Sequence, residues 1–471
     1  MNKNEICFLS AYEMKEKIAR QELTSREITE TIIERIEKIN PIINAYCTKT
    51  FDFARKMAEA ADKGIKKGEK TGLLNGIPTS IKDLNLTGGI RTTLGSMIFE
   101  DNIPEDDELV VKRLKDAGIV LLGKTNTPEF GHKAVTDNLI FGESKNPWDR
   151  ERTTGGSSGG AAAAVASGIS PLAQGSDGGG SIRIPSCLCG VFGLKPSYGR
   201  VPKLWEKISF NRLSHNGPIT RFVKDAALML DAISSYSSVD KYSLSSPEKP
   251  YIESLKEIPK RVKIGYSLDL GDVKALDPEI KKKILESLDK FEKLDWPVEE
   301  IKIKLKQLYR SFISLVTAGY AYDYSKYLKD WEEKMTPTFV NMIRAGISYT
   351  GMDIMHAELQ SIKIYNQFTE YFKHYDILIT PTTAVTAFEL GKMYPDQIEG
   401  KTVSPVGWMP FTYPFNLTGH PAASIPCGWS AERLPIGMQI VGPSNDDKLV
   451  LQVSKAFEEI SPWQNRRPDF D

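Results

Sequence analysis

Between residues 153 and 200 the chain is rich in Gly, Ser and Ala and poor in charge. This mid-chain stretch limits the possible folds more than any other segment. It holds two glycine–serine clusters, Gly155-Gly156-Ser157-Ser158-Gly159-Gly160 and Gly178-Gly179-Gly180-Ser181. A flexible linker has the same composition, but three features oppose that reading. The stretch lies between apolar segments. It contains Ala161-Ala162-Ala163-Ala164-Val165-Ala166, a good helix. Its second cluster stands between Asp177 and Arg183, one acid and one base placed symmetrically. Consecutive glycines let backbone N–H groups converge on one point, as an oxyanion hole requires. Ser181 ends that turn, where a nucleophile would stand.

The flanking segments read as an α/β layered protein. Gly76-Ile77-Pro78-Thr79-Ser80-Ile81-Lys82 and Gly118-Ile119-Val120-Leu121-Leu122 are short apolar runs edged by glycine, as expected of buried strands. A helix from Asp106 to Asp116 is expected between them. Residues 9 to about 70 read as helices, with capping-box spacing at Thr24-Ser25-Arg26-Glu27. Residues 222–236 form another amphipathic helix, and 237–262 a polar surface connection. The region from about 275 to 375 is mostly helical and highly charged. Strand character returns at 375–381 and 434–441. Strands alternating with helices imply one layered sheet, here interrupted by a helical insertion.

Two well-known patterns match by letter. Gly118 to Thr125 fits the phosphate-loop pattern G-x-x-x-x-G-K-[ST]. Its middle residues, however, make a strand rather than a curled loop, and Pro128 breaks the helix that should follow. Gly155 to Gly159 fits the G-x-S-x-G nucleophile elbow. The preceding Trp148 to Thr154 is too polar for the buried strand an elbow needs. That reading makes Ser157 the nucleophile of an α/β-hydrolase-type esterase, with His215, His356, His374 or His420 as its base.

Composition narrows the function classes. Acidic and basic residues balance at 61 each among 471, giving no global reason to expect nucleic acid or an anionic membrane as partner. No apolar run is long enough to span a bilayer and the N-terminus has no signal-peptide pattern, so a cytoplasmic protein is expected. The five cysteines are sparse and irregularly spaced, and the pair Cys187 and Cys189 lacks nearby metal ligands. Both read as small packing residues, and neither a metal nor a cofactor is expected.

The two clusters, continued through Ile182-Arg183-Ile184-Pro185 and Gly190-Val191-Phe192-Gly193-Leu194-Lys195-Pro196, resemble the signature of the amidase signature family. So do Gly76 to Asp83, Leu122 to Phe130, Tyr375 to Thr382 and Phe415 to Ala422, and the similarity covers nearly the whole chain. The resemblance implies a twisted mixed central β-sheet, covered by helices on both faces, in one large domain over 1–471. Its parts are an N-terminal helical region (1–70), a catalytic core (71–236), a helical insertion (237–375) and closing strands and a helix (376–471).

The resemblance also assigns roles. Ser181 matches the nucleophile, Ser157 a bridging serine that follows a cis peptide bond, and Lys82 the general base. Gly178, Gly179 and Gly180, with the Ser181 N–H, match the oxyanion hole. Asp177 and Arg183 match a supporting pair, with Ser158 beside them, and Gly131 falls where the family lines its acyl channel. By position alone Lys82 reads as a surface lysine at a strand end; only the resemblance reverses that. The chemistry is coherent: a hydroxyl needs a base to become a nucleophile, and lysine is a base only when burial keeps it neutral.

Within the family, the A subunit of the glutamyl-tRNA amidotransferase typically has Thr in place of Gly178, Gln in place of Ile184, and an Arg on the helix before the Asp376 strand. Residues 359–365 contain no Arg. A standalone amidase is therefore expected, acting on a small-molecule amide, with neither nucleic acid nor membrane as partner and a homodimer allowed. The amidotransferase component and an inactive scaffold remain the contrasting readings. The helical insertion and the aromatic segment Trp408, Phe411, Tyr413 and Phe415 are expected to wall an acyl pocket.

Overall fold

The computed structural model describes residues 1–204, 212–271, 273–306 and 308–470. Residues 205–211, inside the expected 71–236 core segment, lie outside the described residues.

Eleven strands make one mixed sheet: β1 (Tyr46–Lys49), β2 (Pro78–Lys82), β3 (Val120–Thr125), β4 (Leu172–Asp177), β5 (Phe192–Lys195), β6 (His215–Thr220), β7 (Ile264–Tyr266), β8 (Val298–Glu300), β9 (Ile377–Pro381), β10 (Ala422–Trp429) and β11 (Pro435–Val441). Their spatial order is β1-β3-β2-β4-β6-β5-β10-β11-β9-β7-β8. β2 is parallel to both its neighbours, β3 and β4, whereas β4 and β6, and β5 and β10, are antiparallel. Every residue of β2 and β3 is buried, which explains their unbroken apolar runs.

The flanking helices include α1 (Ser25–Ile43), α2 (Phe51–Lys66), α3 (Leu109–Asp116), α4 (Gly159–Ala166), α5 (Arg183–Cys189), α6 (Val223–Ile233), α7 (Pro278–Glu292), α8 (Leu308–Tyr324), α9 (Pro337–Ile347), α10 (Gly351–Tyr371) and α11 (Asp447–Ile460). The Thr24–Glu27 capping box is formed and opens α1. All of α4 is buried, so its lack of charge reflects a helix sealed inside the core. Among the described residues, no helix is long and apolar enough to cross a membrane.

Several elements differ from the sequence reading. The helix expected from Asp106 begins at Leu109. Before it, Asp107 accepts from the Gly88 N–H at 2.8 Å and from Lys115 Nζ at 2.7 Å, and Glu108 N–H donates to the Leu86 carbonyl. These bonds hold residues 106–108 as loop. Edge strands β1 and β8 lie inside segments read as helical; both are short and only partly buried, so they carry little apolar alternation. The phosphate-loop match is a strand through Thr125. Its Lys124 is fully buried and donates to the Asn85 carbonyl, Thr87 Oγ1 and Thr92 Oγ1, which leaves it bracing the loop that follows β2.

Candidate active site

Three short segments meet at the C-terminal ends of the parallel strands β2 and β4, where open α/β sheets commonly place their sites. Lys82 ends β2. Ser176 and Asp177 end β4, and the turn 178–182 leads from there into α5. Ser157 and Ser158 precede α4.

Lys82 is 0% exposed and Ser157 2%. Lys82 Nζ lies 2.6 Å from Ser157 Oγ and 3.1 Å from Ser176 Oγ. Burial holds the Lys82 amine well below the ordinary lysine value, and the Asp177 charge only partly opposes this. The surface-lysine alternative therefore does not hold, because β2 is enclosed by a strand on each side. The Gly156–Ser157 peptide bond is cis.

Gly131 adopts φ +70°, and a Cβ there would meet Leu84 Cδ1 at 2.7 Å and Ser157 Oγ at 3.2 Å. Glycine is required where this turn presses on the Ser157 hydroxyl.

Ser158 ties the two serine turns together. Its N–H donates to the Ser181 carbonyl at 3.1 Å, and its Oγ to the Ser176 carbonyl at 3.2 Å. Ser181 itself is half-buried, and among the described residues its Oγ has no hydrogen-bond partner. The structure thus joins Lys82 to Ser157 and brings Ser157 and Ser181 to one cavity, without a bond between the two hydroxyls.

Asp177 and Arg183 are both fully buried. Arg183 Nε donates to Asp177 Oδ2 at 3.0 Å and Nη2 to Oδ1 at 2.9 Å. The remaining guanidinium donors reach the Thr412 carbonyl, Gln439 Oε1 and Asn416 Oδ1. All five N–H donors of the fork are used. Burial by itself would raise the Asp177 carboxyl; the Arg183 charge and hydrogen bonds from Arg183 and Asn416 outweigh it and hold the group well below the usual carboxylate range.

Asp177 also takes up backbone donors of the turn. Its Oδ1 accepts from the Gly180 N–H at 2.7 Å and its Oδ2 from the Ile182 N–H at 3.1 Å. Gly180 therefore has no N–H to offer an oxyanion. Among the described residues, the N–H groups of Gly178, Gly179 and Ser181 have no acceptor.

A cavity of about 960 Å³ opens over these residues. Ser157, Ser176, Gly178, Gly179, Gly131 and Ser181 line its base. One wall comes from α8, where Phe312, Val316, Tyr320 and Tyr324 recur every four residues along one face. Phe130 faces it, its ring 4.1 Å from that of Tyr324 and 5.0 Å from that of Phe339.

The expected aromatic wall needs correction. Trp408 lines the cavity, but Phe411, Tyr413 and Phe415 do not. They are core residues: Tyr413 stacks on Phe312 at 4.9 Å and Phe415 packs on Phe368 at 5.2 Å. The sequence reading named none of the α8 residues, although their spacing was visible. Nor did it single out Ser176, Gln439 or Thr412, for which no local pattern exists.

The nucleophile-elbow alternative lacks its base. Residues before Ser157 form turns and isolated bridges, with no strand. His215 Nδ1 faces the Leu213 carbonyl, His420 Nδ1 faces Thr418 Oγ1, and His356 and His374 are exposed. Among the described residues, no histidine is bonded to Ser157.

The chain resembles known proteins along nearly its whole length. A family model described as amidase matches residues 27–451. The chain is 37% identical over 476 residues to an acylamidase of Rhodococcus erythropolis, covering 99% of this chain and 98% of the relative. It is 36% identical over 489 residues to the A subunit of the glutamyl-tRNA(Gln) amidotransferase of Moorella thermoacetica, covering 99% of each. Among solved structures, a bacterial aryl acylamidase of the amidase signature enzymes superposes with a TM-score of 0.91 at 32% identity, covering 97% of each chain. A 6-aminohexanoate cyclic dimer hydrolase gives 0.90 at 28% identity, covering 98% of this chain and 99% of the other.

Proposed function

Since this chain belongs to the amidase signature family, and is thus a hydrolase of carbon–nitrogen amide bonds, we propose that it works as a standalone amidase through an acyl-enzyme on Ser181. The observation that carries this reading is the contact of a fully buried lysine amine with Ser157 Oγ at 2.6 Å.

Neutral Lys82 Nζ takes the Ser157 proton, while Ser157 Oγ takes the proton of Ser181. Ser181 Oγ attacks the amide carbon. The N–H groups of Gly178, Gly179 and Ser181 are the donors left to meet the developing oxyanion. As the C–N bond breaks, the proton returns from Lys82 through Ser157 to the leaving nitrogen. Water then attacks the Ser181 ester and gives its proton to Lys82 through Ser157; that proton returns to Ser181 Oγ as the acid leaves.

The substrate is an amide with substantial apolar substituents. The walls from Phe130, Phe312, Val316, Tyr320 and Trp408 support this, because an apolar surface gains most from covering apolar groups. A small molecule is the expected partner.

A fluorophosphonate probe tests the assignment. Mass mapping is expected to find the label on Ser181 and to find it lost in Lys82→Ala. Label on Ser157 that persists in Lys82→Ala would overturn it.

The pH profile follows from the state of Lys82. The active form has the amine neutral, so activity is present above the Lys82 value and lost as pH falls through it. We expect log kcat/KM to rise with unit slope on the acidic side and level off well below the ordinary lysine value. A profile still rising at the free-lysine value would remove Lys82 as the base.

A further inference from the structure

The three glycines before Ser181 are not equivalent. A Cβ on Gly179 would meet Phe312 Cζ at 2.5 Å. On Gly180, which has φ +128°, it would meet Thr412 Oγ1 at 2.5 Å and Ile184 Cδ1 at 2.7 Å. Both positions are closed to a side chain, and the second is also barred by its backbone.

Gly178 is different. Its φ lies outside the left-handed region, and a Cβ there would have nothing within 4 Å. The residue is half-buried and lines the cavity beside Ser181. The fold does not require glycine here, and a methyl group would project into open space.

We infer that Gly178 is a specificity-determining position, whose missing side chain leaves room for a branched or aromatic group bonded directly to the reacting amide. The inference rests on the Ser181 acyl-enzyme reading. It follows from placement: the Gly178 N–H is one of the three uncommitted donors of the turn, so a carbonyl oxygen held there brings its own substituents against the Gly178 Cα. Phe312, covering Gly179, bounds the same space from α8. A side chain at 178 narrows the gap between this turn and α8 and excludes the bulkier substrates first. Alanine and threonine retain the backbone N–H, so oxyanion contact and steric room are separable.

The test compares wild type, Gly178→Ala and Gly178→Thr on two chromogenic or product-assayed series. One varies the acyl group (acetyl, pivaloyl and benzoyl 4-nitroanilide). The other varies the amine (benzamide against N-phenylbenzamide). Melting temperature and fluorophosphonate labelling of Ser181 monitor folding. In the series that meets position 178, the bulky-to-small ratio of kcat/KM is expected to fall about 10-fold in the alanine variant, and by roughly 100-fold in the threonine variant. The responding series identifies the side of the amide that meets Gly178. Equal losses on every substrate in both variants would overturn the inference, leaving Gly178 as a donor only. An alanine variant that fails to fold would overturn it too, since the space would not be open. Ser181→Ala in parallel separates the two levels: turnover surviving that change sinks the parent reading, while Ser181-dependent turnover with unmoved ratios sinks only this one.

Discussion

With alanine at position 181, amide turnover is expected to fall by roughly 10⁴- to 10⁶-fold, the range seen when a catalytic serine is removed. Its melting temperature should stay near that of the wild type. The two expectations have one origin. Ser181 Oγ is half-buried and has no hydrogen-bond partner among the described residues, so its loss leaves no unsatisfied group and no cavity. A folding residue would show the opposite pairing, with stability falling first. Lys82→Ala should lose turnover on a similar scale, because groups that act as a unit are not additive. Steady-state kinetics beside a thermal melt decides the matter. Ser181→Ala protein retaining more than about a thousandth of wild-type kcat would exclude Ser181 as the nucleophile.

The second large effect is on folding. Asp177→Ala leaves the Arg183 guanidinium fully buried without its carboxylate, and breaking a buried pair in this way costs about 3–5 kcal/mol. The same change frees the Gly180 and Ile182 N–H groups, so the turn loosens as the pair is lost. Denaturant titration should show the fall in midpoint, with turnover lost at denaturant concentrations the wild type tolerates. A loss below about 1 kcal/mol would mean that Thr412, Asn416 and Gln439, already bonded to Arg183, hold the guanidinium without the carboxylate. Acid acts on this pair late. The folded carboxyl lies below its unfolded value of 3.8. Its stabilisation is therefore complete above that pH and disappears only as pH falls through the lower folded value.

What was legible in the sequence depended on how local the signal was. β2, β3 and β9 announced themselves because strands buried on both faces are continuous apolar runs. Ser157, Ser181 and their glycines lie in one stretch poor in charge. Lys82 was different: its position pointed to the surface, and only the family resemblance pointed inward. Its burial comes from β3 and β4 on either side, and sheet order is not written in β2. The same holds for the donors of the turn. That Gly180 is engaged by Asp177 while Gly178 and Gly179 are not follows from a three-residue geometry that four similar letters cannot convey. Phe411, Tyr413 and Phe415 read as pocket residues because aromatic side chains suit core and cavity alike. The four-residue spacing of Phe312, Val316, Tyr320 and Tyr324 was the better guide to the wall.

Arg183 has a further consequence, in time rather than space. Three of its partners, Thr412, Asn416 and Gln439, lie 229 to 256 residues beyond it. Lys82, Ser157 and Ser181 all leave the ribosome before any of these has been made. A nascent chain therefore carries the three side chains of the proposed mechanism through much of its synthesis without the brace that fixes the turn between them. On the proposed mechanism, competence arrives with the last strands of the sheet, and a chain cut short before residue 412 would hold all three side chains and still lack the frame that positions them.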